Sequence, residues 1–217
     1  MIRQSENGEA VRKQILISIL IGVLLIIVFF FFDKRILMWM QDLLGRENLP
    51  HAELFTDNAL SLFYAVFAAL FAFALISKNK KWIHLCLAYL MTQLIFSLAI
   101  VRILKILLGR ARPKYGSEFT FFETDFNFSS FPSGHAADAF VSGVFLYFLL
   151  KQSKYPGSRF VPLIYAFLIA ISRIFVNVHY PSDVAAGMAI GIFGAWFFLS
   201  RLPEYAALKK GNIRLDE

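Results

Sequence analysis

The sequence predicts an all-α polytopic membrane protein with six transmembrane helices in one bundle. Composition is the first sign: 58% of the 217 residues are hydrophobic, 25 are Phe and only 17% are charged, too apolar for a soluble domain of this size. Spacing is the second, because the apolar residues gather in runs near the roughly 20 residues that a 30 Å hydrocarbon core requires. The third is charge: Lys and Arg collect in alternate connections, as cytoplasmic loops do. Lipid offers no partner to an open strand edge, so the runs are helices.

Taken in order, the expected spans are 14–32, 59–77, 82–108, 136–150, 160–178 and 184–200. The first is long and lacks a small-residue cleavage site, so it reads as a retained helix and not a signal peptide. After it, "ILMWMQDLL" puts Ile36, Met40 and Leu44 on one side, which suits a short helix lying in the outer interface. The third contains Cys86, the single cysteine, in an apolar setting that points to an inert buried thiol. The fourth is short and can begin earlier, since Pro, Ser and Gly in "FPSGHAADAF" are good residues for a helix start. In the sixth, small residues at 187, 191 and 194 make a helix packing face. No repeat or second domain is evident, so residues 1–217 read as a single membrane-embedded domain.

Orientation follows from the basic residues. Arg3, Arg12 and Lys13, then Lys78, Lys80 and Lys81, then Lys151, Lys154 and Arg159, and finally Arg201, Lys209, Lys210 and Arg214 mark the cytoplasmic side. Both termini are expected there, and the net charge of +7 reflects this bias, not a nucleic-acid surface. Several of the other basic residues, Lys105, Arg110, Arg112 and Arg173, lie in "KILLGRARP" and "SRIFVNVHYPSD", which meet the opposite membrane face together with "FPSGH".

Each stretch carries chemistry. Lys105 and Arg112 are seven apart, two helical turns, so their long side chains can close around one anion; Arg110 and Lys114 are expected to snorkel to the interface. Ser133 and Gly134 at a helix start offer backbone N–H groups and the positive end of a helix dipole, and His135 follows as a group that can give or take a proton. Arg173 precedes His179 by six residues, and Asp183 follows it by four across a Pro-containing turn. The Asp suits the first turn of the last helix and can hold the imidazole in one tautomer. Two His, an orienting Asp, three cations and a helix N-terminus suit nucleophilic attack on phosphate without a metal. Deeper by about one turn, Arg102 and Asp138 lie at matching depth and either pair, since an unpaired charge there is costly, or Asp138 faces a watery cavity while Arg102 snorkels outward.

The three stretches, read as K-x6-RP, PSGH and SR-x5-H-x3-D in order and at full spacing, resemble the tripartite signature of the type 2 phosphatidic acid phosphatase superfamily. The resemblance is close over about residues 100–190. It implies a metal-independent phosphoric ester or anhydride hydrolase without a cofactor. By that resemblance Lys105, Arg112 and Arg173 would hold phosphate oxygens, with Ser133 and Gly134 completing the cradle. His179 would be the nucleophile that forms a phosphohistidine, with Asp183 orienting it. His135 would protonate the leaving group and then assist water. Undecaprenyl diphosphate, phosphatidylglycerol phosphate and phosphatidic acid are the expected substrates. A lipid A phosphatase or a lipid phosphotransferase is the nearest alternative, and an anion transporter the remote one. The small size and simple loops suggest a bacterial inner (plasma) membrane protein whose site faces the periplasm or exterior. The loop at 118–131, with six Phe, either lines an acyl-chain entrance or anchors at the interface. Its acids, Glu118, Glu123 and Asp125, would repel a second phosphate or pair with a cation.

Overall fold

The computed structural model describes residues 20, 22–24, 27–28, 30–45, 48–151, 155 and 157–203. Among these the chain is all-helical, with one isolated bridge between Arg110 and Phe119. The principal helices are α1 (residues 30–44), α2 (Leu49–Ile76), α3 (Lys80–Leu108), α4 (Gly134–Leu150), α5 (Val161–Phe175) and α6 (Pro181–Leu199). Among the described residues four stretches are long and apolar enough to cross a membrane: Leu49–Ile76, Lys80–Leu108, Ser158–Phe175 and Pro181–Leu199. Gly134–Leu150 is apolar and shorter. The expected span 14–32 lies mostly outside the described residues, as do Arg3, Arg12, Lys13, Lys154, Lys209, Lys210 and Arg214.

Local chemistry explains the helix ends. Pro50 stands in the first turn of α2, so that helix begins at Leu49 and not at 59. Its polar residues His51, Glu53 and Asp57 face outward, while Thr56, Ala59, Leu60, Phe63 and Phe67 form a buried stripe at helical spacing. Asn79 caps α3 by accepting from the backbone N–H groups of Lys81 and Trp82. At the other end of α3, Gly109 takes a left-handed conformation with φ of 50° and its N–H returns to the Lys105 carbonyl at 2.9 Å. Inside α3, residues Gln93–Ile100 widen into a π-helical segment that the apolar pattern does not announce. The expected interfacial helix at 36–44 is continuous with what precedes it: α1 runs unbroken through Asp33, Lys34 and Arg35. Its Leu37 and Met40 pack on the bundle core.

α4 is the central helix, packed mainly against α5 and α6 and buried on nearly every side. Close approach requires small residues. A Cβ on Gly143 would lie 3.0 Å from the Ala166 Cβ and the Pro162 carbonyl of α5. On α6, the expected face of Gly187, Gly191 and Gly194 is real, the first two against α4 and the third against Phe96 of α3. Two apolar clusters fill the bundle. One, at the end carrying the N-termini of α4 and α6, joins Leu37, Leu60, Phe63, Phe140, Ile169 and Tyr180; the other joins Phe67, Leu85, Tyr89, Phe145, Phe148 and Leu199. Phe67 and Tyr89 stack in the latter with centroids 3.5 Å apart.

The polar contacts between α2, α3 and α4 differ from expectation. Asp138 accepts from the Tyr64 hydroxyl, while Gln93 Nε2 donates to Tyr89 Oη, the Asp138 carbonyl and Ser142 Oγ. Arg102 is exposed on α3, and no ion pair joins it to Asp138 among the described residues. Equal depth did not make them partners, because contact also needs the two side chains to face each other around their helix axes.

Candidate active site

The loop after α5 and the first turn of α6 build the centre of the site. Asn177 turns the chain with φ of 58°, and the backbone N–H groups of Val178 and His179 both return to the Arg173 carbonyl, at 3.1 and 3.2 Å. Arg173 and His179 are thereby fixed relative to each other by backbone. Pro181 opens α6, and Asp183, two residues on, accepts from the Tyr180 N–H through Oδ2 at 2.8 Å, capping its own helix. The same Oδ2 accepts from Ser130 Oγ at 2.6 Å and lies 3.7 Å from His179 Nδ1. That nitrogen is buried and has no hydrogen-bond partner among the described residues. Asp183 Oδ1 receives Arg110 Nη1 at 2.5 Å.

α4 supplies the second wall. Ser133 is its N-cap, accepting from the Ala136 N–H at 3.4 Å, and its own N–H donates to the Asp183 carbonyl at 2.9 Å. This backbone bond joins the start of α4 to the start of α6. Gly134 and His135 follow, half-buried, in the first turn, where N–H groups and the dipole favour an anion.

The cations close the third side. Lys105 Nζ donates to the Ser129 carbonyl. Arg112 donates through Nε to the Phe126 carbonyl at 3.1 Å and through Nη2 to Ser129 Oγ at 3.3 Å, with its guanidinium 3.6 Å from the Phe126 ring centroid. Arg173 donates to Thr56 Oγ1 at 2.9 Å and stands 3.7 Å from Asp57 Oδ1. Their mutual influence shows that they converge. Burial, then the charge of Arg173, lowers Arg112 from its ordinary range to about 10. Burial pushes the His179 imidazole down to about 3; Lys105 and Arg173 act in the same direction and Asp183 opposes them. His135 feels the charges of Arg173, Asp57, Lys105 and Arg112. The result is a neutral, buried imidazole facing a cationic pocket at one end of the bundle.

A profile of the PAP2 superfamily matches residues 81–205, more than half of the chain. The chain belongs to the PAP2 superfamily. It is 39% identical over 124 residues to a lipid A 1-phosphatase of Rhizobium etli, covering 55% of this chain and 50% of that protein. To a decaprenylphosphoryl-5-phosphoribose phosphatase of Mycobacterium tuberculosis it is 30% identical over 128 residues, 59% of this chain and 65% of that protein. The match spans about half the length of the Rhizobium lipid A 1-phosphatases, 50% and 45% in two species. Among solved structures, the fold resembles LpxE of Aquifex aeolicus with a TM-score of 0.56 at 25% identity, over 77% of this chain and 94% of that one. It also resembles a PAP2 type phosphatidylglycerolphosphate phosphatase from Bacillus subtilis, with a TM-score of 0.62 at 21% identity over 92% and 98%; this second likeness speaks for the fold alone.

Within this PAP2 fold the eight residues expected from sequence, Lys105, Arg112, Ser133, Gly134, His135, Arg173, His179 and Asp183, lie at one end of the bundle. Arg110 corrects the sequence reading. It was expected to snorkel, yet it is 1% exposed. Its Nη2 donates to Asp33 Oδ2 at 2.7 Å and its Nη1 to Ser182 Oγ at 2.7 Å. The rings of Tyr180, Phe30 and Phe119 lie against the guanidinium, with centroids 4.2, 4.9 and 5.4 Å away. The reason is that α3 stops at Leu108 and the chain folds over the bundle end: the Ser130 N–H donates to the Arg110 carbonyl at 3.0 Å and the Arg112 N–H to the Asn127 carbonyl at 2.8 Å. Asp33, Thr56 and Asp57 were also missed. They lie before residue 81, outside the signature, and only the folding of α1 and α2 brings them in.

The Phe-rich loop divides its work. Phe126 supports Arg112. Phe119 and Phe131, with Ile27, Phe30, Phe31 and Leu108, line an apolar cavity of about 280 Å³. Phe121 and Phe122 are exposed, at 65% and 75%, as interface-anchoring aromatics are. Of its acids, Glu123 accepts from the Thr124 and Asp125 backbone and Asp125 from that of Asn127, so these two are occupied in shaping the loop.

Proposed function

We propose that this membrane protein is a lipid phosphatase, hydrolysing a lipid phosphomonoester or diphosphate through a phosphohistidine at His179. The carrying observation is the buried His179, with Asp183 Oδ2 3.7 Å from its Nδ1, at the end of the bundle where Lys105, Arg112 and Arg173 also lie. A neutral imidazole is a nucleophile; its protonated form is not.

In the proposed reaction the phosphate lies against Lys105, Arg112, Arg173 and the Ser133–Gly134 start of α4, which stabilise charge as the phosphorus becomes five-coordinate. His179 Nε2 forms a bond to phosphorus while the bond to the leaving oxygen breaks. His135 gives that oxygen a proton, then takes one from water as the water attacks phosphorus and the P–N bond breaks. Asp183 accepts a hydrogen bond from Nδ1 as the ring gains positive charge. The cations supply the charge that a divalent metal supplies elsewhere and would repel one here.

Lipid A phosphate is the substrate reading favoured by a specific observation, the 39% identity to a protein named lipid A 1-phosphatase. Undecaprenyl diphosphate, phosphatidylglycerol phosphate and phosphatidic acid are the competing substrates. The charge bias of the loops supports a site on the extracytoplasmic face of a bacterial plasma membrane. The test is phosphate release by purified protein in detergent from a panel of these lipids. His179→Ala should abolish turnover while remaining folded and monodisperse. Near wild-type turnover in that variant would overturn the assignment.

A further inference from the structure

Asp183 is held from both sides by groups that are not among the fixed residues of the tripartite signature. Oδ2 takes the hydrogens of Ser130 and Tyr180, and Oδ1 takes Arg110 Nη1 at 2.5 Å. Arg110 is held in turn by Asp33, 77 residues away, whose Oδ2 receives Nη2 at 2.7 Å. Asp33 is locked as well: Ser182 donates to it from its N–H at 2.8 Å and its hydroxyl at 2.5 Å. Every member is buried. The chain Asp33, Arg110, Asp183, His179 therefore runs from α1 to the imidazole.

Burying two carboxylates and a guanidinium is costly, and a structural purpose is met as well by apolar residues of similar volume. What apolar residues cannot do is hold a carboxylate plane. With Oδ1 unheld, only the Ser130 and Tyr180 bonds to Oδ2 resist rotation of the Asp183 carboxylate about its Cβ–Cγ bond, and the 3.7 Å position facing His179 Nδ1 is less firmly kept. Two carboxylates sharing a buried site without a cation would also compete for one proton. A protonated Asp183 would no longer stabilise the charge that the ring acquires. A guanidinium never yields its proton and offers a rigid fork that spans both acids, which an ammonium cannot reproduce.

We propose that Arg110 and Asp33 are positioning residues for the nucleophile, keeping Asp183 ionised and its Oδ2 aimed at His179 Nδ1 without touching substrate. The inference rests on the phosphohistidine reading above for its kinetic arm and has a second arm that does not.

The kinetic arm compares Arg110→Met, Arg110→Lys and Asp33→Asn, each in the wild-type and Asp183→Asn backgrounds. Arg110→Met should lower kcat by about 10- to 100-fold, the scale of losses when a group orienting a functional ligand is removed, with KM within about threefold. Arg110→Lys keeps a buried cation and should lose less, as should Asp33→Asn; these two carry the test if Arg110→Met does not fold. In the Asp183→Asn background the same changes should cost nothing further, because their effect runs through that carboxylate. Equal fractional losses in both backgrounds, a rise in KM alone, or unchanged kcat in all three variants would overturn the inference. The second arm is ¹⁵N NMR of histidine-labelled protein, with the His179 signal assigned by His179→Gln. Arg110→Lys should move the Nδ1 signal in the same direction as Asp183→Asn, and an unmoved signal overturns the positioning role. A wild-type protein that releases no phosphate while its His179 signal responds in this way refutes the function and leaves the positioning standing.

Discussion

Gly187→Ala should disable the site far more than it unfolds the protein. Gly187 sits one turn after Asp183 on α6, against the start of α4. A Cβ there would lie 3.0 Å from the Ala136 Cβ and 3.2 Å from the Ser133 carbonyl carbon, and closer still to the Ser133 oxygen. Backbone cannot swing aside as a side chain can, and Ser133 is tied to α6 by its 2.9 Å bond to the Asp183 carbonyl. The two helices must therefore part. Overpacking of this kind costs about 1–3 kcal/mol. Ala regains about 1 kcal/mol over Gly in helix propensity, which leaves a net loss of about 0–2 kcal/mol. For a chain of this size that is a melting shift of a few degrees, at about 2–4 °C per kcal/mol. The wedge separates Ser133, Gly134 and His135 on α4 from Asp183 and His179 on the other side. A displacement near 1 Å at reacting groups costs about 100-fold in rate. Melting in detergent and phosphate release on the same preparation test both halves. Gly157→Ala is the control, since nothing lies within 4 Å of its Cβ, and it should be neutral in both. Turnover in Gly187→Ala equal to that of Gly157→Ala would refute the reasoning.

The depressed His179 value sets a pH dependence: the folded state keeps the imidazole neutral to about 3, against an ordinary 6.5, so protons bind the unfolded chain first. That contribution to stability is complete above about 6.5 and is lost as pH falls toward 3. Wild-type protein should lose more melting temperature between pH 7 and 4.5 than His179→Gln does, and identical slopes would count against a buried neutral His179. EDTA should leave turnover intact and vanadate, a mimic of five-coordinate phosphorus, should inhibit; activity lost in EDTA and restored only by Mg²⁺ would refute a purely cationic phosphate site. For orientation, Ser77→Cys should be protected from an impermeant thiol reagent in intact cells and Glu118→Cys should react, against a background in which Cys86 is buried. The reverse labelling pattern would place the site in the cytoplasm.

Much of this protein was legible because the signals are local. A helix end is written in a few neighbouring residues, as Pro132, Ser133 and Gly134 mark the start of α4. Runs of apolar residues locate the helices for the same reason, since each segment must satisfy the bilayer on its own. The residues proposed for the site could be read as candidates too, because Lys105 with Arg112 and Arg173 with His179 and Asp183 hold fixed spacings within single stretches. What only the tertiary structure decided lies between stretches. Asp33 meets Arg110 across 77 residues and Thr56 meets Arg173 across 117. Asp138 takes Tyr64 and not Arg102, and no spacing along either helix reveals the partner. Sequence distance measures position along a helix and residue type measures cost of burial. Which side chains then face one another depends on how each helix is rotated about its axis, and that is settled by the packing of all of them together, down to the glycines that let α4 and α6 touch.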